Sequence, residues 1–208
     1  MQIYDTLFVV VVIIFSAVIH EVMHGIAADR LGDPTARYAG RLTLNPIPHL
    51  DLWGSIIIPV MLAISGSPLF FGWAKPVPYN PYNLRPGRFS EAIVAGAGPA
   101  SNLVIALIVG TMLRTGSIAS PIADILFMVV MINTMLFLFN LIPIPPLDGS
   151  KILESLLPNP LQYGYAAWRT RMEMNPFLGM GLVLLIVVFF GSTFGSYVFG
   201  LARLIAGA

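Results

Sequence analysis

Cysteine is absent from this 208-residue chain, which excludes disulfides, iron–sulfur clusters and thiolate catalysis. Charge is scarce too. Asp, Glu, Lys and Arg make up 10% of the residues, where soluble domains carry about 25%. The net charge of +1 gives no reason to expect a nucleic-acid partner. No basic cluster precedes the first apolar stretch (Met1-Gln2-Ile3-Tyr4-Asp5), and no small-residue cleavage site follows it, so it reads as a retained spanning helix and not a signal peptide. No internal repeat is visible. What the chain does have is apolar: 57% of its residues are hydrophobic. The expected class is an all-α polytopic membrane protein, with residues 1–208 forming a single domain.

Four segments are long enough to span a bilayer: 6–28, 91–113, 121–142 and 177–205. Ser90 is placed to cap the second and Pro121 lies in the first turn of the third. Residues 36–45, around Arg37-Tyr38-Ala39-Gly40-Arg41, suggest a short membrane-associated β-hairpin. Residues 68–86 are rich in proline and aromatics, with Trp73, Tyr79 and Tyr82 suited to a membrane interface. Within them, 71–78 reads as a loop that could gate access.

Residues 50–65 are apolar but short. Fifteen helical residues reach about 22 Å across a roughly 30 Å core. If the segment dips in and returns, nine of the eleven Lys and Arg residues share one side and only Arg114 and Arg203 face the other. If it crosses, the split is five against six, and the positive-inside bias vanishes. A re-entrant segment is therefore expected, with the N-terminus outside.

The chemistry concentrates at two places. His20 and His24, four residues apart, fall on one face of a helix and can share an ion. Glu21 sits beside them, aimed to reach a water on that ion, as in HExxH zinc hydrolases. A catalytic zinc also needs a third protein ligand. Asp148 is the best candidate, because Asp124 lies at the opposite end of its helix. Both sites then lie on one side, the cytoplasmic one by the charge count. Without cysteine, a metal here is held by His, Asp or Glu, a set that suits zinc and several other divalent ions. Against this stands packing or proton relay by the same residues, but ionisable groups in an apolar span are functional by default.

Asn140 precedes Pro143, Pro145 and Pro146, which break the helix. It could bind substrate backbone, steady an oxyanion or make an interhelical hydrogen bond. The small residues Gly96 to Ser101 read as helix packing, though Asn102 could line the site; Asn133 reads as packing. His49 is either a spare ligand or, as is usual for a loop histidine beside a proline, structural.

These motifs resemble the site-2 protease family of intramembrane zinc metallopeptidases. The resemblance rests on His20-Glu21 with His24, on Gly98-Pro99 with Asn102, and on Asn140 with Pro145-Pro146-Leu147-Asp148-Gly149. Gly72-Trp73-Ala74-Lys75-Pro76-Val77 is similar to the small prokaryotic branch that lacks PDZ and CBS domains. The resemblance implies one zinc ion held by His20, His24 and Asp148, with Glu21 as base and Asn140 orienting substrate. It also implies that 37–44 is a hairpin that pairs with unwound substrate backbone. The expected activity is hydrolysis of peptide bonds in or near transmembrane segments, for regulated proteolysis or clearance of signal-peptide remnants. Expected partners are transmembrane substrates and the lipid bilayer of a prokaryotic cell membrane. A metal transporter or non-catalytic metal-binding membrane protein is the alternative.

Overall fold

The computed structural model describes residues 3–65, 72–116 and 118–207. By its internal contacts the chain divides into two compact units, Met1–Leu84 and Arg85–Ala208. The start of the expected interfacial loop, 68–71, lies outside the described residues.

The first unit is built on α1 (Ile3–Arg30), apolar along nearly its whole length. The helix stops at Gly32, whose φ of 108° only glycine adopts readily, and the Asp33 N–H closes back on the Ala28 carbonyl at 2.9 Å. A single helical turn follows, α2 (Thr35–Tyr38).

This turn replaces the hairpin expected at 36–45, and no strand occurs among the described residues. The cause is local bonding. Asp33 accepts from the Thr35 N–H at 3.2 Å and starts the turn. The Arg41 N–H returns to the Ala36 carbonyl at 2.9 Å, and Gly40 has φ +64°. Thr43 Oγ1 then takes the Asn45 N–H, and Asn45 takes the Ile47 N–H. Backbone groups satisfied within a few residues are not available for a ladder.

A 3-10 turn, Ile47–His49, leads to Asp51, which caps the next helical stretch by accepting from the Trp53 and Gly54 N–H groups at 3.1 and 2.7 Å. That stretch is a π turn of six residues, Leu52–Ile57, running into the seven-residue α3 (Ile58–Ile64). At 1.5 Å per residue it is about 20 Å long, too short to cross. The re-entrant segment expected at 50–65 is thus corrected: the residues form one continuous helix, not a descending and a returning arm. Pro59 lies inside this helix and has no N–H to donate; the Gly54 carbonyl, one π turn earlier, accepts the Trp73 N–H instead.

In the second unit α4 (Ser90–Arg114), α5 (Ser120–Asn140) and α8 (Pro176–Ala206) pack on one another. Ala106, Val130, Ala202 and Ile205 are fully or almost fully buried between them. Small side chains make this approach possible. A Cβ on Gly110 would lie 2.4 Å from the Ile205 side chain and 2.8 Å from its carbonyl. The Asn102 amide donates to Asn133 Oδ1 at 3.0 Å, and both residues are inaccessible to solvent.

Two short helices complete this unit, α6 (Asp148–Leu156) and α7 (Asn159–Met174). The C-terminal end of α6 is capped by Arg88, which donates to the carbonyls of Ser155, Leu156 and Leu157. Arg169 on α7 binds Glu154 of α6 at 2.6 Å, Glu173 at 3.0 Å and Glu91 of α4 at 3.4 Å.

Four helical segments are long and apolar enough to cross a membrane: Leu7–Arg30, Ser90–Arg114, Pro121–Asn140 and Phe177–Ala206. They match the four expected spans to within a few residues. Large apolar side chains such as Phe15, Leu107, Val188 and Phe189 stand exposed on them, as lipid-facing groups do.

Candidate metal centre

His20 and His24 lie one turn apart near the C-terminal end of α1, both buried at under a tenth exposed. Ser16, Val18 and Val22 around them are buried as well. The two rings meet edge to face, 4.6 Å between centroids, with their Nε2 atoms 3.0 Å apart. A side-chain oxygen of Glu21 joins them: the three donor atoms all lie within 4.8 Å of one another.

This arrangement fits a small divalent cation. Two imidazole ligands at about 2.0–2.1 Å from a tetrahedral zinc stand roughly 3.3 Å apart. The observed 3.0 Å requires a shift of only a few tenths of an ångström. Imidazole nitrogens are donors that suit zinc, and the Glu21 carboxylate stands within reach of the same position.

Glu21 is held from the other side. Its Oε2 accepts the main-chain N–H of Val77 at 2.8 Å. Val77 belongs to a strap, 72–80, tied down at alternate residues. The Trp73 N–H donates to the Gly54 carbonyl, and Ser55 Oγ donates to the Trp73 carbonyl. The Lys75 N–H donates to the His49 carbonyl at 2.8 Å, and Arg41 donates to the Lys75 carbonyl at 2.8 Å. Asp33 accepts the Asn80 N–H at 2.6 Å and the Asn83 amide at 2.9 Å.

The remaining expected site residues belong to the second unit. Asp148 is the first residue of α6, directly after the turn that Pro143, Pro145 and Pro146 impose on the end of α5. Tyr165 steadies that turn by donating to the Pro143 carbonyl at 2.9 Å. Gly149 is required there: a Cβ would lie 2.2 Å from the Leu141 carbonyl oxygen and 2.6 Å from that of Ile142. Asn140 ends α5, its amide donating to the Leu136 carbonyl at 3.0 Å. The buried bond to Asn133 gives Asn102 a helix-packing partner.

His49 is structural. It is 1% exposed and its Nε2 lies 3.0 Å from the Thr43 carbonyl oxygen. The sequence reading missed Arg41, Asp33 and the Val77 amide. One signal was present: Val77 lies between Pro76 and Pro78, so its N–H is the only one in that tripeptide.

The sequence profile of peptidase family M50 matches residues 111–174, which contain Asn140 and the Asp148-Gly149 pair. A Bacillus subtilis protein named "putative zinc metalloprotease YwhC" is 36% identical over 200 residues, covering 92% of this chain and 83% of its own. The chain belongs to peptidase family M50. Two mycobacterial proteins, each named a zinc metalloprotease Rip2 in the same qualified form, are also similar to this M50 chain. That of Mycolicibacterium smegmatis is 32% identical over 84% of this chain and 63% of its own. That of Mycobacterium tuberculosis is 30% identical over 95% and 73%. No solved structure matches.

Proposed function

We propose that this M50 peptidase is an intramembrane zinc metalloprotease that hydrolyses peptide bonds in or near the transmembrane segments of other membrane proteins. The observation that carries the reading is the buried His20–His24 pair, Nε2 atoms 3.0 Å apart, with Glu21 beside it in an apolar 24-residue span. Residues 1–208 act as one peptidase domain. His20, His24 and Asp148 would hold the zinc. When bound, the metal supplies Lewis acidity to the scissile carbonyl and to an attacking water.

The chain's own residues perform the proton transfers. The Glu21 carboxylate takes a proton from water as the water oxygen bonds to the scissile carbon. Glu21 then delivers that proton to the departing amine nitrogen as the C–N bond breaks. The Val77 N–H occupies Oε2, which leaves Oε1 to carry the proton. Asn140 contacts the substrate backbone at the end of α5, with Asn102 deeper in the unit. A substrate helix has to unwind before its peptide bond is accessible.

The catalytic side is cytoplasmic. The short helix at 52–64 does not cross, so nine of the eleven Lys and Arg residues fall on the side that holds the C-terminal end of α1. Substrates are anchored regulators or signal-peptide remnants in a prokaryotic cell membrane.

The test is cleavage of a tagged single-span protein by the purified chain in detergent, beside Glu21→Gln, His24→Ala and Asp148→Asn, with bound zinc measured in each. Wild type is expected to cleave. Glu21→Gln should keep zinc without cleaving, and the ligand variants should lose both. Zinc bound by wild type without cleavage of any of several substrates would favour a non-catalytic metal-binding protein or a metal transporter.

A further inference from the structure

The strap at 72–80 does more than cover α1. A helical glutamate samples several rotamers, and a base works only when its carboxylate is aimed. In this chain the aim has an identifiable source. Pro76 and Pro78 fix their own φ near −65° and hold Lys75 and Val77 to extended backbone. They also remove the competing donors on either side, so only the Val77 N–H can reach Glu21 from this tripeptide.

The approach is close because Gly25, one residue past His24, has no side chain. A Cβ there would lie 3.0 Å from Val77 Cγ1, and the Val77 side chain is itself buried. Two residues before Val77, the strap is gripped through both backbone groups of Lys75: the His49 carbonyl takes its N–H and the Arg41 guanidinium takes its C=O. Arg41 is 7% exposed, an expensive place for a guanidinium unless its position matters.

We infer that the main-chain N–H of Val77 is a positioning group for Glu21, and that Arg41 positions that N–H by clamping the strap at Lys75. The inference rests on the proposed role of Glu21 as base. Val77→Pro deletes the N–H in a segment already flanked by Pro76 and Pro78. Its purified form is expected to retain zinc, to keep KM within about threefold, and to lose roughly ten- to a hundred-fold in kcat, the scale on which an ångström of misplacement acts. Val77→Ala keeps the N–H and should recover most of the lost rate. Equal kcat in the Pro and Ala variants would overturn the inference.

Incorporating the α-hydroxy acid of valine at position 77, which swaps the N–H for an ester oxygen without a ring, covers the case in which Val77→Pro does not fold. The same drop in kcat is expected; wild-type kcat would overturn the inference. A readout independent of activity is the Val77 amide proton resonance. It should lie downfield in wild type and move upfield in Glu21→Ala. An unmoved resonance overturns the contact itself. If wild type cleaves nothing while the resonance moves, the peptidase reading fails and the contact stands.

Discussion

Asp33 is the anchor most open to a quantitative test. Its carboxylate is fully buried and accepts four hydrogen bonds: the Thr35 N–H at 3.2 Å, the Thr35 hydroxyl at 2.5 Å, the Asn80 N–H at 2.6 Å and the Asn83 amide at 2.9 Å. Each bond to a charged acceptor contributes about 1.5–3 kcal/mol net. The two long-range bonds, to Asn80 and Asn83, are the ones unfolding always breaks. Asp33→Ala is therefore expected to cost about 3–6 kcal/mol, lowering the midpoint of thermal unfolding in detergent by roughly 10–20 °C. Asp33→Asn keeps one acceptor oxygen and should lose about half as much.

The pH dependence separates this account from simple packing. Burial pushes the Asp33 carboxyl upward, but the bonds from Thr35, Asn83 and Asn80 together outweigh it and leave it below its ordinary 3.8. The unfolded chain therefore takes up the proton first as pH falls. The stabilisation from this group is complete above 3.8 and disappears as pH drops through the lowered folded-state value. Wild type should show that acid-side loss, and Asp33→Asn should lack this component. An Asp33→Ala protein within about 1 kcal/mol of wild type, or equal acid-side slopes in wild type and Asp33→Asn, would refute the reasoning.

Three further outcomes are expected. Gly149→Ala drives a Cβ into two backbone carbonyls, so it should cost about 3 kcal/mol or more and displace Asp148, read as lost thermal stability together with lost zinc. Arg169→Met leaves Glu91, Glu154 and Glu173 without their shared cation and should destabilise by about 3–5 kcal/mol, with Arg169→Lys recovering only part, since an ammonium lacks the guanidinium fork; chemical unfolding in detergent measures both. For the buried Asn102–Asn133 pair, a double-mutant cycle with leucine should give a coupling of roughly 0.6–1.7 kcal/mol in unfolding experiments.

The parts of this protein written in local periodicity were legible in its sequence. Four long apolar runs became four helices long and apolar enough to cross a membrane, and an i, i+4 histidine pair inside one of them became a pair of rings in edge-to-face contact. The hairpin at 36–45 was misread for an equally local reason. The side-chain acceptors Asp33, Thr43 and Asn45 and the positive-φ glycine at position 40 decide the backbone there. The short helix at 52–64 was misread because length and charge distribution limit crossing without specifying a path. Asp33 was invisible as an anchor because its long-range donors lie 47 and 50 residues away.

The strap stands between these extremes. Which amide it offers is written in Pro76-Val77-Pro78, where two residues cannot donate. What that amide bonds to is set by Gly25 on α1 and by the grips on Lys75 and Asn80. On the proposed reading α1 carries the Glu21 carboxylate as base, while a segment more than fifty residues later holds its Oε2 through the Val77 N–H. A substitution at Arg41 or Asp33, neither of which is in hydrogen-bond contact with Glu21, is for that reason expected to lower kcat by loosening the strap while zinc stays on the histidines. Loss of zinc in Arg41→Ala at unchanged thermal stability would place Arg41 in the metal site instead, and would break the separation between holding the ion and aiming the base.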